Sequence, residues 1–281
     1  MRARIWGSRG SIASPGAGTV GYGGNTSCVE VRLANGEIVI LDAGTGMLPL
    51  GAELRREGAK RLHLLLSHLH VDHLEGLGMF APTWSPDAEL HIWGPPSPVA
   101  SLDERIATYF SPPLFPVHLS EVPARVTFHD AAESEWTIGG ARLMSSAILH
   151  PGPTVGYRLE EDGRVLAYIT DHEPVLGADD LATDPPEWTS GYAIARRADL
   201  LIHDCQYTPE EYETRVGFGH STTEHTAAFA TMAEVDRLLL FHHDPMHTDA
   251  ELESIRDEVV RLWGVPEERC QLAAEGATYE V

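Results

Sequence analysis

Cysteines and internal boundaries are both scarce in this sequence. Its 281 residues include three cysteines, Cys28, Cys205 and Cys270, and none belongs to a Cys-x-x-Cys pair. An odd, sparse set argues against a disulfide framework and is typical of a reducing compartment, so we expect a cytoplasmic protein. No Pro/Gly/Ser-rich linker, repeat or low-complexity tract divides the chain. We therefore expect one domain over residues 1–281, with enough apolar residues (43%) for an ordinary globular core.

Long apolar runs and basic clusters are also missing. The first residues, Met1 to Trp6, resemble a strand and lack the apolar core of a signal peptide, and no stretch is long enough to span a membrane. The chain has 20 Lys and Arg against 42 Asp and Glu, a formal charge of −22. Proteins that grip long nucleic acids usually carry a basic patch. The composition therefore disfavours a membrane partner or a large polyanion and allows a small anion drawn in by metal.

The segment Ser67-His68-Leu69-His70-Val71-Asp72-His73 is the clearest chemical feature. It follows an apolar run at 62–66 that is typical of a buried strand. Neutral imidazole and carboxylate are ligands of zinc, manganese and iron. Four such side chains in six positions exceed what one tetrahedral ion usually takes from one segment, which indicates two ions. Asp72 as a helix cap and the histidines as core or surface residues are the alternatives, and the density of ligands favours metal.

Strand and helix patterns interleave along the chain. Helical patterns cover 47–57, 101–110, 209–216, 222–232 and 249–263, and Ser221 with Glu224 resembles a capping box. Strand-like segments lie at 3–6, 27–33, 37–41, 62–66, 89–93, 142–148, 155–159, 165–170, 200–203 and 238–242. This order predicts an α/β (α+β) fold of two mixed sheets with helices outside. The proline-rich stretch 95–123 is either a surface loop with one helix or a lid or dimer contact, and we expect its apolar residues Tyr109, Phe110, Leu114 and Phe115 to be exposed.

His-x-His-x-Asp-His after an apolar strand resembles the signature of the metallo-β-lactamase-fold hydrolase superfamily. The resemblance extends over nearly the whole chain, through 21–28, 41–46, the His cluster, His150, 168–171, 219–222 and 241–243. The combination looks most like the branch that holds ribonuclease Z and the phosphodiesterases acting on cyclic phosphates. It implies a four-layered αββα sandwich with the metals at one sheet edge.

The same resemblance implies a set of metal ligands. His68, His70 and His150 would hold one ion, Asp72, His73 and His242 the other, and Asp171 would bridge them. On sequence grounds alone His150 and Asp171 could be structural or turn residues, and His243 competes with His242. Asp42, at a strand end, either holds the remote N–H of a ligand histidine or forms a turn. We expect two divalent ions, zinc before manganese or iron.

The resemblance also implies catalytic roles. Metal-held hydroxide would attack phosphorus, His220 would protonate the leaving alkoxide, and Asp204 would orient His220. Asp72 is counted among the catalytic residues as well as the ligands. Ribonuclease Z has Glu where this chain has Asp204, one methylene shorter, so the geometry of this pair differs from that enzyme.

The sequence therefore predicts a dinuclear metal-dependent hydrolase of a small phosphodiester, with a cyclic nucleotide as the leading substrate class and a homodimer as an option. The nearest alternative is a ribonuclease Z-like tRNA 3′ endonuclease, but no basic, glycine-rich arm for gripping transfer RNA is visible. Thioester or lactone hydrolysis could use the same metals. A redox di-iron enzyme, or a binding protein that keeps the fold with an inactive site, fits the complete ligand set less well.

Overall fold

Two seven-stranded β-sheets pack face to face, with helices on their outer faces. The structure, a computed structural model, describes residues 1–176, 181 and 185–281. The four-layered αββα sandwich predicted from the sequence is confirmed.

The first sheet comes from the N-terminal half of the chain and one C-terminal strand. Its strand order is β14-β1-β2-β3-β4-β5-β6, and β3 to β6 run parallel. The strands are β1 (Arg2–Gly7), β2 (Cys28–Arg32), β3 (Ile38–Leu41), β4 (Arg61–Leu65), β5 (Glu89–Gly94), β6 (Arg125–Asp130) and β14 (Thr278–Glu280).

The second sheet repeats this mixture. Its strand order is β13-β12-β11-β10-β9-β8-β7, and β10 to β13 run parallel. The strands are β7 (Ser134–Ile138), β8 (Ala141–Ala147), β9 (Val155–Glu161), β10 (Arg164–Ile169), β11 (Leu200–Asp204), β12 (Leu238–Phe241) and β13 (Cys270–Leu272). The ten predicted strands are present within about two residues. The strands β6, β7, β13 and β14 were not predicted, because each is a sheet edge and is short or carries exposed polar residues.

Six α-helices lie in the described part of the chain: α1 (Met47–Glu57), α2 (Leu102–Tyr109), α3 (Tyr192–Ala195), α4 (Pro209–Tyr212), α5 (Thr223–Met232) and α6 (Asp249–Trp263). The short α3 was not predicted, and α4 ends earlier than predicted. The predicted capping box was wrong by one residue: Thr222 Oγ1 accepts the hydrogen bond from the His225 N–H, whereas Ser221 Oγ donates to the His172 carbonyl. None of these helices combines the length and apolar character needed to cross a membrane.

Three apolar clusters join the layers. One fills the space between the sheets, one packs α1 and α2 on the first sheet, and one packs α3, α5 and α6 on the second. Fully burying a Leu or Ile side chain stabilises a fold by about 1.5–3 kcal/mol, so these clusters supply the main driving force.

The segment 95–123 is more buried than the sequence indicated. Phe110 and Phe115, expected to be exposed, pack in the outer core of the first sheet, whereas Leu114 is 67% exposed. A Tyr109 hydroxyl hydrogen bond of 2.9 Å to the Glu75 carbonyl ties α2 to the loop that follows the His cluster. The lid or dimer role of this segment stays a prediction.

The parallel strands of both sheets are followed by residues whose side chains can bind metal or take part in catalysis. Asp42 follows β3, the Ser67–His73 stretch follows β4, Asp171 follows β10, and His242 follows β12. Crevices at the carboxyl ends of parallel strands are the usual binding sites of open α/β sheets.

Candidate metal centre

Two groups of His and Asp side chains converge at this edge. The first group is His68, His70, His150 and Asp171, and the second is Asp72, His73, Asp171 and His242. Within each group the potential ligand atoms all lie within 4.8 Å of one another. The seven residues predicted as ligands are therefore brought together, in the two sets that the resemblance implied.

Asp171 lies between the two groups and turns one oxygen toward each. Its Oδ2 is 3.7 Å from His68 Nε2 and 3.8 Å from His150 Nε2. Its Oδ1 is 3.1 Å from His73 Nε2 and also 3.1 Å from His242 Nε2. This is the arrangement required of a carboxylate shared by two neighbouring cations.

The spacing of these atoms fits divalent ions. Ligands around a tetrahedral zinc, with bonds of about 2.0–2.2 Å, lie about 3.3–3.6 Å apart. His73 Nε2 is 3.3 Å from His242 Nε2 and 3.2 Å from Asp72 Oδ2. In the first group, His150 Nε2 is 3.1 Å from His70 Nδ1. His68 Nε2 is buried and has no hydrogen-bond partner among the described residues. A metal ion would satisfy it.

Burial keeps part of the site in its metal-binding form. Burial lowers the pKa of His68 well below its ordinary value and lowers the pKa of His150 to about 4. Both imidazoles are therefore neutral at pH 7, as a ligand must be. Burial opposes the charged form of Asp171, but His242 and His73 outweigh it and hold the pKa of Asp171 well below its usual range.

Asp42 lies behind the second group and is hydrogen-bonded to His73. Its Oδ2 accepts hydrogen bonds from His73 Nδ1 at 2.8 Å and from the Tyr168 hydroxyl at 2.7 Å. Both carboxylate oxygens also accept from Ser67, through its backbone N–H and its hydroxyl. A carboxylate in this position fixes the tautomer of a ligand imidazole, so that His73 Nε2 presents its lone pair to the site.

The two adjacent histidines after β12 are separated by the fold. His242 points into the second group, and its Nδ1 donates to Gln206 Oε1 at 2.8 Å. His243 is buried elsewhere, with its Nε2 donating to the Ala273 carbonyl at 3.1 Å. The structure therefore brings His242, and not His243, to the second group. Gln206, which holds His242, was not identified from the sequence, because a lone Gln two residues after a strand carries no signal.

Three site residues adopt the left-handed backbone conformation. Asp42 has φ 60° and His242 φ 56°, each directly after its strand, and Asp171 has φ 50°, two residues after the end of β10. A non-glycine residue in this conformation costs on the order of 1–2 kcal/mol and persists where surrounding contacts over-determine it. Room for His242 also depends on Gly10, since a Cβ there would lie 2.4 Å from the imidazole ring.

Asp72, expected among both the ligands and the catalytic residues, belongs to the second group. Its Oδ2 lies 3.3 Å from His242 Nε2 and accepts a hydrogen bond of 2.8 Å from the Ser11 N–H. Ser11 was not identified from the sequence, because its contribution is a backbone group.

The predicted pair of His220 and Asp204 forms beside the ligand groups. Asp204 Oδ2 accepts a 2.7 Å hydrogen bond from His220 Nδ1, and the His220 ring stacks on His242 at 4.9 Å between centroids. Burial disfavours the imidazolium, but Asp204, with Asp171 and Asp72, raises the pKa of His220 to about 9. The protonated ring can therefore act as a proton donor near neutral pH. Asp204, His220 and His242 also form a third group with metal-ligand spacing.

Glu173, missed in the sequence, positions the loop that carries His220. Its carboxylate accepts hydrogen bonds from the backbone N–H of Gly217 at 2.8 Å and of Gly219 at 2.7 Å. Gly219 has φ 92°, and a Cβ there would lie 2.1 Å from His150 Nδ1, so the Gly-His-Ser-Thr segment requires glycine. The Gly219 carbonyl lies 2.9 Å from His150 Nδ1, where it accepts that ring's N–H.

The other nearby histidines lie outside the ligand groups. His172 Nδ1 is 3.0 Å from His203 Nε2 in a buried contact against Phe229. His247 pairs with Glu211 at 2.8 Å, and His225 lies in the first turn of α5. Their contacts are with residues around the site and not with the two ligand groups.

Known proteins resemble this chain in sequence and in fold. The Beta-lactamase superfamily domain family matches residues 38–243. A ribonuclease Z from Thermococcus gammatolerans is 27% identical over 274 residues, which cover 86% of this chain and 85% of the relative. The metallo-β-lactamase fold protein YhfI from Bacillus subtilis superposes with a TM-score of 0.70 at 16% identity, over 99% of this chain and 98% of its own. A diphosphatase of the PhnP family superposes with a TM-score of 0.66 at 19% identity, over 100% and 97%.

The family resemblance drawn from the motifs is thus confirmed by an independent match over most of the chain. The matched range includes all seven residues of the two ligand groups. The chain belongs to the Beta-lactamase superfamily domain family and is a hydrolase with the metallo-β-lactamase fold.

Proposed function

We propose that this protein is a dinuclear metal-dependent phosphodiesterase acting on a small phosphodiester, with cyclic nucleotides as the leading substrate class. The observation that carries the proposal is Asp171, whose two oxygens face two separate ligand groups, with His220 beside them. Phosphodiester hydrolysis needs both features, because charge must be neutralised on phosphate oxygens and the leaving alkoxide must be protonated.

Two ions would be held by His68, His70, His150 and Asp171, and by Asp72, His73, His242 and the same Asp171. Four nitrogen and oxygen ligands per ion fit zinc best among the candidate metals, and manganese or iron would also accept them. Bound ions would activate a water molecule and neutralise phosphate oxygens.

His220 would supply the proton for the leaving group. Its Nδ1 is occupied by Asp204, so Nε2 is the atom that can transfer a proton to the leaving oxygen. Asp204 holds the ring in place and stabilises its charged form, and Glu173 fixes the loop in front of it. The shorter Asp at this position therefore still reaches the imidazole.

The charge of the chain supports a small substrate. Twenty basic residues against 42 acidic ones disfavour binding of a long polyanion, while charge at the site itself would attract a small one. Ribonuclease Z activity is the second candidate, because the Thermococcus relative carries that name. Thioester or lactone hydrolysis is the third, because it would need the metals without a strict need for His220.

A substrate panel tests the proposal. Zinc-loaded and manganese-loaded protein would be assayed on bis-p-nitrophenyl phosphate, cyclic nucleotides, a thioester, a lactone and precursor transfer RNA. We expect hydrolysis of the phosphodiesters, a cyclic nucleotide among them, and little turnover of the others. Salt-sensitive binding and 3′ cleavage of precursor transfer RNA would reverse the ranking of the first two candidates, and preferential thioester or lactone turnover would reject phosphodiester chemistry.

A further inference from the structure

A cleft of about 290 Å³ adjoins the first ligand group. His68 and His70 form part of its wall, so a molecule bound at the metal centre would extend into it. Leu69, between the two histidines, also lines the cleft, and the rest of the wall comes from the segment 95–123 and the turn after His150: Ser97, Arg105, Thr108, Pro151, Gly152 and Pro153.

Arg105, in helix α2, is the one permanently charged cation among the described residues of this wall. The chain as a whole carries a formal charge of −22, so a positively charged guanidinium beside the metal centre is unusual for this acidic protein. No carboxylate of the described part of the chain lies within ion-pair distance of Arg105. Asp130 acts on it only at longer range, opposing the effect of burial, which lowers the pKa of Arg105. A guanidinium stays protonated at neutral pH in such surroundings.

The Arg105 side chain is held in place by backbone carbonyls. Its Nη2 donates to the Pro95 carbonyl, and its Nε donates to the Ser101 carbonyl at 3.4 Å. Nη1 has no hydrogen bond to the described residues. A fixed guanidinium with one open edge loses little conformational entropy when it binds an anion.

Ser97 offers a second donor on the same wall. Its Oγ accepts a hydrogen bond from the Val99 N–H at 3.3 Å, which leaves its own hydrogen available. The hydroxyl of Thr108, by contrast, donates to the Glu104 carbonyl at 3.3 Å. The cleft therefore presents a guanidinium and a hydroxyl hydrogen, which are donors that suit phosphate oxygens.

We propose that Arg105 and Ser97 bind a second, non-scissile phosphate group of the substrate. The apolar wall of Leu69, Pro151 and Pro153 would contact the uncharged body between the two phosphates. The inference rests on the proposed phosphodiesterase function and deepens it: helix α2 sets substrate specificity, and the preferred substrate carries two phosphates.

A matched pair of chromogenic esters tests this inference. The p-nitrophenyl ester of thymidine 5′-phosphate contains one phosphodiester, and its 3′-phosphorylated form adds a phosphate monoester. We expect metal-loaded wild-type protein to favour the 3′-phosphorylated ester in kcat/KM by about 10- to 100-fold, the effect typical of charge-assisted hydrogen bonds. Arg105→Gln should remove most of this preference through KM, and Arg105→Lys should keep part of it.

The control is Arg56→Gln, which makes the same change in net charge on helix α1, where the Arg56 side chain is 75% exposed. It should keep the wild-type preference, and melting temperatures would show that the variants fold. Equal kcat/KM on the two esters for the wild type, or a preference that survives Arg105→Gln, would overturn the inference. Lack of hydrolysis of both esters would instead reject the phosphodiesterase function, so the two failures are distinguishable.

Discussion

Histidines cluster at two places in this protein, at the candidate metal centre and on strands β4, β5 and β6. In the second place His63, His91 and His129 form a ladder on parallel strands. The rings of His63 and His91 stack at 4.9 Å and 15°, and those of His91 and His129 at 5.4 Å and 26°. Both clusters contain buried ring nitrogens without a hydrogen-bond partner in the described part of the chain.

The two clusters differ in how their imidazole rings are oriented relative to one another. Parallel strands present side chains side by side, so the ladder rings stack in a row, and the contact between ring nitrogens joins neighbours in that row, with His91 Nδ1 3.1 Å from His129 Nε2. At the metal centre, the His68 ring stands at 80° to that of His70, which lies two residues further along the same segment, and at 65° to that of His150, which comes from another segment. Their nitrogens therefore approach one carboxylate, Asp171. Among the described residues, groups with metal-ligand spacing occur only at the metal centre.

The strongest test of this difference is Asp171→Ala, which removes the shared carboxylate. We expect the variant to lose much of both metal ions, as measured by elemental analysis of metal-supplied protein. Activity on bis-p-nitrophenyl phosphate should fall by about 10³-fold or more, since metal ions contribute several kcal/mol to such reactions. Asp87→Ala, at a side chain that is 75% exposed, is the matched control and should keep metal and activity. One ion or none in well-folded wild-type protein would contradict the dinuclear proposal.

His220→Ala separates a proton donor from a ligand. The variant should keep both metals and lose about 10²–10⁴-fold of its activity on a cyclic nucleotide, whose alkoxide leaving group needs a proton. It should lose far less on bis-p-nitrophenyl phosphate, because p-nitrophenolate leaves unaided. Equal losses on both substrates would assign His220 to substrate positioning or structure. Loss of metal would make it a ligand, as the third group of Asp204, His220 and His242 allows.

Asp42→Asn tests whether Asp42 orients the ligand His73 through its hydrogen bonds. The amide cannot accept all the hydrogen bonds from Ser67, His73 and Tyr168 that the carboxylate accepts. We expect a drop of about 10- to 100-fold in metal affinity, measured by competition with a chromogenic chelator. Tyr168→Phe removes a single donor to Asp42 and should weaken affinity much less. Unchanged metal affinity in a folded Asp42→Asn protein would show that Asp42 is only a turn residue.

His63→Gln, in the ladder, should have the smallest effect. Burial first, then His91, Arg61 and His129, lowers the pKa of His63 from 6.5 to about 4. The folded state therefore keeps His63 neutral at a pH where the unfolded chain protonates it, so stability falls as the pH drops from 6.5 toward 4. Glu89 partly opposes this shift. The variant should show a smaller loss of melting temperature between pH 7 and pH 5 and keep its metal content. A metal loss equal to that of Asp171→Ala would make the ladder a metal site.

Local patterns in the sequence were sufficient for most of the fold. Apolar runs identified ten strands, and α1 and α6 have the predicted bounds because apolar periodicity, Gly58 and Gly264 define them locally. Edge strands such as β6 and β7 lacked such runs, because half of their side chains face solvent. The capping of α5 by Thr222 rather than Ser221 depended on a contact between Ser221 and His172, which are distant in the sequence.

The sequence by itself determined which side chains could bind metal, because His-x-His-x-Asp-His concentrates four possible ligands within six residues. Only the tertiary structure decided which distant residues join them. His242 rather than His243 reaches the site because the left-handed turn after β12 and the small Gly10 admit its ring. Asp171, about 100 residues after the motif in the chain, lies between the two ligand groups because both sheets end at one edge. Such convergence depends on the packing of the two sheets, which no local pattern encodes.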